Sequence, residues 1–324
     1  MNNNTNFDVI IVGGSYAGLS AALALGRSLR NVLIIDNGKP CNIQTPHSHN
    51  FLTQDGKTPK EIATRARKDV EQYETVKFYN GTAKIGVKTE DGFQIITSEN
   101  ERFKARKLIF ATGIKDEMPN IKGFAECWGI SVIHCPYCHG YEYRHHNTAI
   151  IANGPKAFHL AAMVNNLSDK VTLLTNGKAD FSVNELEKLA KRNVKIIEKT
   201  IHEIEHENGQ LQNLIFEDGN KMPFDVAYGA LPFTQHSDIP VALGCELDDF
   251  GYLKIEAFQK TRVPNILVCG DNSNMMRSVA NAVSSGNIAG AVANGELVTN
   301  NFNKRLQTRT DAEKKIDLNI TNKN

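Results

Sequence analysis

The sequence lacks the features that mark membrane proteins and nucleic-acid-binding proteins. No apolar run approaches the roughly 18 residues that a membrane-spanning helix needs. Basic and acidic residues nearly balance, at 37 and 36, for a formal net charge of +1. Without a basic excess for nucleic acid or an anionic membrane, this balance favours a small-molecule or protein substrate. The first residues lack the positively charged region of a secretory signal, so we expect a cytoplasmic protein.

Cysteine is scarce, and its placement is uneven. Structural disulfides are rare in the cytoplasm, so the six cysteines indicate one reactive pair and several single thiols. The pair is Cys135 and Cys138, separated by Pro136 and Tyr137. The remaining four are isolated, and we interpret them as buried or bystander thiols: Cys41, Cys127, Cys245 and Cys269.

Two similar segments flank this pair, and each reads as strand, glycine-bearing turn, helix and strand. This alternation predicts an α/β fold with two Rossmann-like three-layer nucleotide-binding units. The predicted elements are strand Phe7–Val12, helix Ala17–Leu29, strand Val32–Ile35, and then strand Thr148–Ala152, helix Lys156–Asn166 and strand Val171–Thr175.

Shorter elements fill the rest of the chain. Alternating segments with turn signals predict a β-meander from Phe78 to Leu108. An apolar strand is predicted over Ile266–Cys269, and a helix of small residues over Ser278–Val298. Residues 301–324 form a polar tail that we expect to fray.

The first turn has the pattern of a dinucleotide-binding loop. Such a loop needs glycine at the sharp turn, a small residue beside the pyrophosphate, and glycine where the helix packs on the strand. Gly13, Ser15 and Gly18 fill these places, with serine replacing the middle glycine. The helix start offers N–H groups to phosphates, and Asp36 can accept hydrogen bonds from an adenosine ribose. The alternative is an ordinary glycine-rich connection.

The Cys-x-x-Cys pair indicates redox chemistry, because one thiol is activated and the second resolves a mixed disulfide. Zinc is an alternative, with His134 and either His145 or His146, but a structural site wants four ligands and no second Cys-x-x-Cys is present. We therefore predict no metal. Covalent haem attachment is another alternative, because residues 135–139 read Cys-x-x-Cys-His. It normally requires export, and the absence of an export signal in the first residues disfavours it. A glutaredoxin-like domain would place the pair after the first strand of a small domain, and this pair lies elsewhere.

The second turn is degenerate as a nucleotide site. Ala152, Gly154 and Ala157 occupy its small positions, and Pro155 lacks a backbone N–H that a phosphate could use. After the next strand, residues 175–178 supply neither an acid for an NAD ribose nor an arginine pair for an NADP phosphate. The segment is a vestigial fold unit or a weak nicotinamide site, so NADPH binding stays open.

With these motifs in place, the chain resembles the low-molecular-weight thioredoxin reductases, which are FAD-dependent pyridine nucleotide-disulfide oxidoreductases. The similarity extends from about Phe7 to Val298 and includes the Cys-x-x-Cys pair. It also rests on the segments Val12–Gly18, Phe110–Gly113 and Val268–Asp271.

The resemblance implies a domain organisation and an assembly. An FAD-binding domain would combine residues 1–115 with 243–300. A degenerate pyridine-nucleotide-type domain over residues 116–242, carrying the dithiol, would be inserted into it. The polar tail would follow at 301–324, and the enzyme would be a homodimer.

The resemblance also implies roles for individual residues. Cys138 would face the flavin, and Cys135 would exchange with the substrate. The start of the helix after residue 277 would face the flavin pyrimidine edge and stabilise negative charge on it. Besides the first turn and Asp36, the expected FAD-binding residues are Thr112, Gly113, Asp271, Val279 and Ala280.

His139 departs from the thioredoxin reductase pattern, which normally has aspartate after the second cysteine. The run Cys-x-x-Cys-His-Gly-Tyr-Glu is instead similar to gliotoxin-oxidase-type dithiol oxidases, which pass electrons from dithiols through FAD to oxygen. His139 would then be the catalytic base for a substrate thiol, because histidine titrates near neutral pH. The alternative is a helix-start residue bonded only to backbone. His47 and His49 lie in a segment that normally borders FAD. They would supplement the site, or the segment is a solvated loop, which is the interpretation we favour.

We therefore expect an FAD-dependent thiol–disulfide oxidoreductase that moves electrons between flavin and a dithiol or disulfide through Cys135 and Cys138. In one direction it is thioredoxin-reductase-like and uses NAD(P)H or another donor. In the other it is an oxygen-using dithiol oxidase without NADPH. A flavin-bound redox sensor is a third alternative, which the intact dithiol disfavours. The substrate is a dithiol or disulfide of a protein or of a small molecule.

Overall fold

The chain forms two compact units in a computed structural model that describes residues 5–321, with side chains as far as residue 303. The first unit combines the chain up to Gly38 with Arg65–Gly113 and the chain from Gln235 onward. The second combines Lys39–Thr64 with Ile114–Thr234. The division into an FAD-binding domain (residues 1–115 and 243–300) and a pyridine-nucleotide-type domain (residues 116–242) stays a prediction.

The described residues form seventeen strands, eight α-helices and one short 3-10 helix over Ala257–Gln259. In chain order the strands are β1 (Asn6–Val12), β2 (Val32–Asp36), β3 (Val76–Asn80), β4 (Ala83–Thr89), β5 (Gly92–Thr97), β6 (Arg102–Phe110), β7 (Ile114–Asp116), β8 (Val132–Ile133), β9 (Thr148–Ile151), β10 (Val171–Leu174), β11 (Lys195–Ile197), β12 (Ile201–Glu207), β13 (Gln210–Phe216), β14 (Lys221–Pro223), β15 (Val226–Gly229), β16 (Phe233–Gln235) and β17 (Ile266–Val268). The α-helices are α1 (Tyr16–Arg27), α2 (Pro59–Glu71), α3 (Phe124–Cys127), α4 (Pro136–His139), α5 (Gly154–Asn165), α6 (Val183–Lys191), α7 (Ile239–Ala242) and α8 (Val279–Thr321).

The first unit is built on a seven-stranded sheet in which β1 has parallel neighbours on both sides. The order is β3-β2-β1-β6-β5-β4, and β17 also pairs with β6. β1, β2 and the end of β6 are runs of apolar residues that are buried on both faces, as parallel strands require. β4, β5 and β6 pair antiparallel and form the predicted meander. These features confirm the predicted α/β class.

Helix α8 is longer than the predicted Ser278–Val298, since it continues to Thr321. The tail that we expected to fray is therefore helical as far as that residue, and its last three residues lie outside the described part of the chain. Lysine, arginine, glutamine and glutamate favour helix even without apolar periodicity, which explains the difference. No described helix is both long and apolar enough to cross a membrane.

Helices α1 and α8 lie in backbone contact within the first unit. A methyl group at Gly286 would overlap the carbonyl oxygen of Ala17. Close by, the hydroxyl of Ser20 donates to the carbonyl oxygen of Val283 at 2.7 Å. The small residues of α8 therefore allow it to cover α1, the helix that follows the first glycine-rich turn.

Gly286→Ala is expected to lower the free energy of unfolding by about 1–3 kcal/mol, because the added methyl must push α1 and α8 apart. Gly295→Ala in the same helix is the matched control, since apart from its chain neighbours and the adjacent backbone of α8 no described atom lies within 4 Å of the added methyl. It should raise the free energy of unfolding by about 0.5–1 kcal/mol, because alanine favours helix over glycine. Denaturant unfolding measures both, and equal effects would contradict the close packing.

The second unit contains a five-stranded parallel sheet in the order β11-β10-β9-β15-β8. The predicted second segment is present as β9, α5 and β10, with ends that differ by one or two residues. Helix α5 begins at Gly154 rather than at Lys156 because Asn153 caps it. β12, β13 and β14 form a second antiparallel meander, and β7 pairs with β16.

Candidate active site

Cys135 and Cys138 form a disulfide at the start of α4, with their Cα atoms 5.3 Å apart. Cys135 is the N-cap residue, and its extended backbone is the conformation that a residue before proline favours. Pro136 takes the first helical position, where a missing N–H is tolerated. The Cys138 N–H donates to Cys135 Sγ at 3.2 Å. This local sequence places both sulfur atoms on one turn and confirms the predicted redox-active pair.

Three of the other four cysteines are buried and unsuited to redox exchange. Burial raises the pKa of Cys127 to about 11 and that of Cys269 to about 12. Burial also raises the pKa of Cys245. A thiol with so high a pKa carries little of the nucleophilic thiolate at neutral pH. Cys41 is exposed, and the three buried positions agree with the interpretation as bystander thiols.

His139 is the last residue of α4, directly after the disulfide, and not a residue at the helix start. Its half-buried ring lies 6.3 Å from the ring of His49, centroid to centroid, at an interplanar angle of 89°. Burial lowers the pKa of His139, and positive charge on His49 lowers it further, while Glu142 acts in the opposite direction. The environment therefore favours the neutral imidazole, which can accept a proton.

The segment Lys39–Thr64 brings further ionisable groups to this place in the second unit. His49 Nδ1 lies 3.6 Å from Asp55 Oδ2 and 3.6 Å from Glu142 Oε1. The side chain of His49 is only 20% exposed, so the interpretation of this segment as a solvated loop does not hold at His49. His47 Nδ1 lies 3.1 Å from the carbonyl oxygen of Gly56, to which it can donate.

Asp55 and Glu142 were not predicted from the sequence as site residues. Glu142 could have been identified from the sequence, because it is the last residue of the Cys-x-x-Cys-His-Gly-Tyr-Glu run that contains the dithiol and His139. Asp55 could not have been identified, since it lies some eighty residues before the dithiol and its approach to the site depends on how the segment Lys39–Thr64 folds. We call His49, His139, Asp55 and Glu142 the histidine–carboxylate cluster.

The first turn of the first unit has the geometry of a dinucleotide cradle. Gly13 has a φ of 103°, and a methyl group there would overlap the carbonyl oxygen of Ala111. The Gly14 N–H donates to Asp36 Oδ1 at 2.9 Å, which fixes the carboxylate at the end of β2. The Ser15 side chain makes no cap hydrogen bond at the start of α1. The chain therefore leaves the helix N-terminus available to a phosphate.

The other predicted FAD-binding residues also lie in the first unit, at the carboxyl ends of β6 and β17 and at the start of α8. Asn272, which follows the predicted Asp271, donates from Nδ2 to the carbonyl oxygen of Phe110 at 3.0 Å and to Thr112 Oγ1 at 3.1 Å. Asn272 is fully buried, and its Oδ1 has no hydrogen-bond partner among the described residues. A buried acceptor left open beside Thr112 and Gly113 fits a bound polar group, and FAD is such a group.

The second turn uses its polar groups within the chain. Asn153 Oδ1 accepts from the Gly154 N–H and from the Asp180 N–H, both at 2.9 Å. Asn153 Nδ2 donates to the carbonyl oxygen of Lys178 at 2.8 Å. The Asp180 carboxylate lies 3.6 Å from the place that a methyl on Gly154 would take. A carboxylate therefore lies beside the turn at which a nucleotide pyrophosphate would bind.

A model of the family described as pyridine nucleotide-disulphide oxidoreductase matches residues 7–286. The chain belongs to this family. Thioredoxin reductase tcpT of Claviceps purpurea is 32% identical to it over 309 residues, which cover 92% of this chain and 96% of that protein. A crystal structure of an oxidoreductase from Agrobacterium tumefaciens is similar with a TM-score of 0.85 and 36% identity, covering 91% of this chain and 99% of that one. The crystal structure of HlmI is similar with a TM-score of 0.90 and 26% identity, covering 96% of this chain and 99% of that one.

Membership confirms the resemblance to thioredoxin reductases and the two-unit Rossmann-like fold. This disulphide oxidoreductase is an FAD-dependent enzyme, and its Cys135–Cys138 disulfide fits a redox-active dithiol. Within each unit, the structure brings together the residues predicted for one task. Cys135, Cys138 and His139 lie in the second unit, and the predicted FAD-binding residues lie in the first.

Proposed function

We propose that this disulphide oxidoreductase oxidises dithiols to disulfides, with FAD as electron acceptor and oxygen as final oxidant, and without NAD(P)H. The second turn carries this proposal. A reductase needs that turn to bind the pyrophosphate of NAD(P)H, whereas a dithiol oxidase does not. Asn153 satisfies the turn's first N–H group, Pro155 has none to offer, and the Asp180 carboxylate repels phosphate.

Thiol–disulfide exchange at the Cys135–Cys138 bond begins the proposed reaction. Neutral His139 accepts the proton of a substrate thiol, and the resulting thiolate attacks Cys135 Sγ. A mixed disulfide forms while the Cys135–Cys138 bond breaks, and Cys138 leaves as a thiolate. The second substrate thiolate then attacks the substrate sulfur of the mixed disulfide and releases Cys135. Two electrons move from the substrate to the sulfur pair, and the two substrate protons pass through His139 to the cysteines or to solvent.

The place of Cys135 on α4 favours its release as a thiolate in the second exchange, compared with a cysteine whose sulfur accepts no hydrogen bond. The Cys138 N–H donates to Cys135 Sγ at 3.2 Å, and a hydrogen bond to sulfur stabilises the thiolate that is released. A thiolate that is stabilised in this way leaves faster. The assignment of Cys135 to substrate exchange therefore agrees with the local geometry.

FAD, when bound, would supply a two-electron acceptor for the Cys135–Cys138 dithiol. Oxygen can reoxidise reduced FAD and is itself reduced to hydrogen peroxide. The residues that would hold it are those of the first turn, Asp36 and the Thr112–Gly113 strand end. Asp271 and the first residues of α8, Val279 and Ala280, would complete the site. Asn272 Oδ1 would gain the hydrogen bond that it lacks within the described residues.

The second candidate function is the reductase direction, which the similarity to proteins named thioredoxin reductase favours. In it, NAD(P)H would reduce the enzyme, and the Cys135–Cys138 dithiol would reduce a protein or small-molecule disulfide. This direction requires the nucleotide to displace Asn153 and Asp180 from the second turn. Homodimer formation and a cytoplasmic location belong to both candidates and stay predictions.

Anaerobic reduction of the purified flavoprotein separates the two candidates. A stoichiometric small dithiol is expected to bleach the flavin absorbance at least about a hundredfold faster than NADPH or NADH, since the nucleotide has no competent turn to bind. Admission of air should then return the yellow colour and yield about one peroxide for each flavin. Rapid bleaching by stoichiometric NADPH would refute the oxidase proposal.

A variant of the second turn provides the control. Asp180→Ala removes the carboxylate beside Gly154, and Asp169→Ala removes an exposed carboxylate elsewhere in the same unit. Under the oxidase proposal, dithiol bleaching should proceed at the wild-type rate in both variants. A loss of dithiol bleaching in Asp180→Ala alone would show that the turn serves the reaction in a way that the proposal does not include.

A further inference from the structure

The histidine–carboxylate cluster contains more ionisable groups than a single base requires. His139 faces His49 and Glu142, and His49 also faces Asp55. The ring of His47 lies 6.4 Å from that of His49, on the same segment. The ring of His49 therefore approaches the ring of the base and both carboxylates. The proposed reaction assigns no task to His49, Asp55 or Glu142.

The carboxylates at His49 can balance a positive charge on its ring. Asp55 Oδ2 and Glu142 Oε1 each lie 3.6 Å from the same nitrogen atom, Nδ1. Asp55 is itself held, since its Oδ1 accepts from the Asn50 N–H at 2.7 Å. A positive charge on the His49 ring would therefore have two carboxylate partners within 4 Å of one nitrogen atom.

A charge on His49 acts on His139 through space. The two rings are 6.3 Å apart and perpendicular, which is too far for a direct hydrogen bond. Two like charges at this distance repel each other, so a proton on His49 disfavours a second proton on His139. The lowered pKa of His139 has this repulsion as its second cause, after burial.

We propose that His49 is a positioning residue that holds the proton of the cluster against Asp55 and Glu142 and so keeps His139 neutral and ready to accept a thiol proton. This inference rests on the proposed function, in which His139 is the base. It goes further by assigning the segment Lys39–Thr64 a part in the reaction. His49 would act on the base alone and would not touch the substrate.

Replacement of the charge separates an electrostatic role from a structural one. His49→Asn removes the positive charge, whereas His49→Lys retains one that Asp55 and Glu142 can still balance. His145→Asn is the control, because His145 is exposed in the same unit and its φ of 67° suits asparagine. All are tested as full-length flavoprotein, with the flavin spectrum as the check of folding.

The readout is the titration of His139 by NMR in histidine-labelled protein, with the signal assigned by its loss in His139→Gln. In His49→Asn the pKa of His139 should rise by about 0.5–1 unit, as expected for the loss of one charge at this distance. In His49→Lys and His145→Asn it should stay within about 0.3 unit of wild type. An unchanged pKa in His49→Asn, or an equal rise in His49→Asn and His49→Lys, would overturn the proposal.

The rate of dithiol oxidation gives an independent readout. Well below the pKa of His139, the rate of His49→Asn should fall about three- to tenfold relative to wild type, and at pH 8.5 the two should agree. A deficit of the same size at every pH would mean a structural role and would also overturn the proposal. Full activity of His139→Gln would refute the base assignment in the proposed function, while the NMR titration would still decide whether His49 keeps His139 neutral.

Discussion

Serine in place of either Cys135 or Cys138 is expected to lower the turnover of dithiols by roughly a thousandfold or more, because the hydroxyl cannot form or accept a disulfide bond. Flavin should stay bound in both variants, since the predicted FAD-binding residues lie in the first unit and the cysteines in the second. The measurement is steady-state oxygen consumption with a small dithiol, together with the flavin absorbance of the purified protein.

The two serine variants should differ in what they trap. Cys138→Ser retains Cys135, the sulfur assigned to substrate exchange, and lacks the partner that would resolve a mixed disulfide. Incubation with the symmetric disulfide of a small monothiol should therefore add one monothiol mass to Cys138→Ser and much less to Cys135→Ser, since this adduct has no second thiol that could release the cysteine. The reverse pattern in intact-protein mass spectra would exchange the roles of the two cysteines.

Cys41→Ser is the matched control for these variants. Cys41 is an exposed cysteine in the same unit as the disulfide, whereas Cys127 is buried there. Its replacement should leave turnover within about twofold of wild type, as expected for a surface substitution. Residual turnover in Cys135→Ser above one tenth of the wild-type rate would mean that dithiols reach the flavin directly, and the relay through sulfur would be wrong.

The sequence predicts the parts of the fold that local patterns determine. β1, the glycine turn and α1 follow from a buried apolar run, from glycine at a positive φ and from helical spacing, and all are found within two residues of the prediction. The short dithiol helix α4 was not among the predicted elements, although proline directly after Cys135 is a helix-start signal. The extension of α8 was missed, because polar helix-forming residues without apolar periodicity resemble a tail.

The candidate site was predicted only where its residues are neighbours in sequence. Cys135, Cys138 and His139 lie on one turn of helix, so their proximity is a consequence of spacing. The approach of His49 to His139 joins positions ninety residues apart and depends on how the segment Lys39–Thr64 packs within the second unit. Asp180 lies beside Gly154 for a similar reason, and only the eroded pattern of that turn was visible beforehand.

The structure also changes the meaning of the second turn. From the sequence, a missing acid and a missing arginine pair left a weak nicotinamide site as open as a vestigial one. The hydrogen bonds of Asn153 to Gly154 and Asp180 give the turn a stable conformation of its own. Under the oxidase proposal, a nucleotide would have to break these bonds and lie beside a carboxylate, so the cost of binding would come from residues that are present and not from residues that are absent.

His139→Gln is expected to lower the rate of dithiol oxidation at pH 7 by about 10²- to 10⁴-fold, the usual contribution of a positioned general base. Glutamine retains hydrogen-bonding capacity at this position and cannot accept a proton at neutral pH. His159→Gln on the exposed face of α5 is the matched control and should have the wild-type rate. Single-turnover bleaching of the flavin by a small dithiol measures the step directly.

The rate of dithiol oxidation should also depend on pH in a defined direction. In the proposed reaction the neutral form of His139 is the active one, so the wild-type rate should rise with pH through the pKa of His139, which burial lowers from its ordinary value of 6.5. The acid limb of the profile should thus lie below pH 6.5 and be absent in His139→Gln. Near pH 8.5 a substrate thiol ionises without help, so the deficit of His139→Gln should shrink by roughly tenfold relative to pH 7. A deficit in His139→Gln that stays constant up to pH 10 would show that this histidine orients the substrate and does not take its proton.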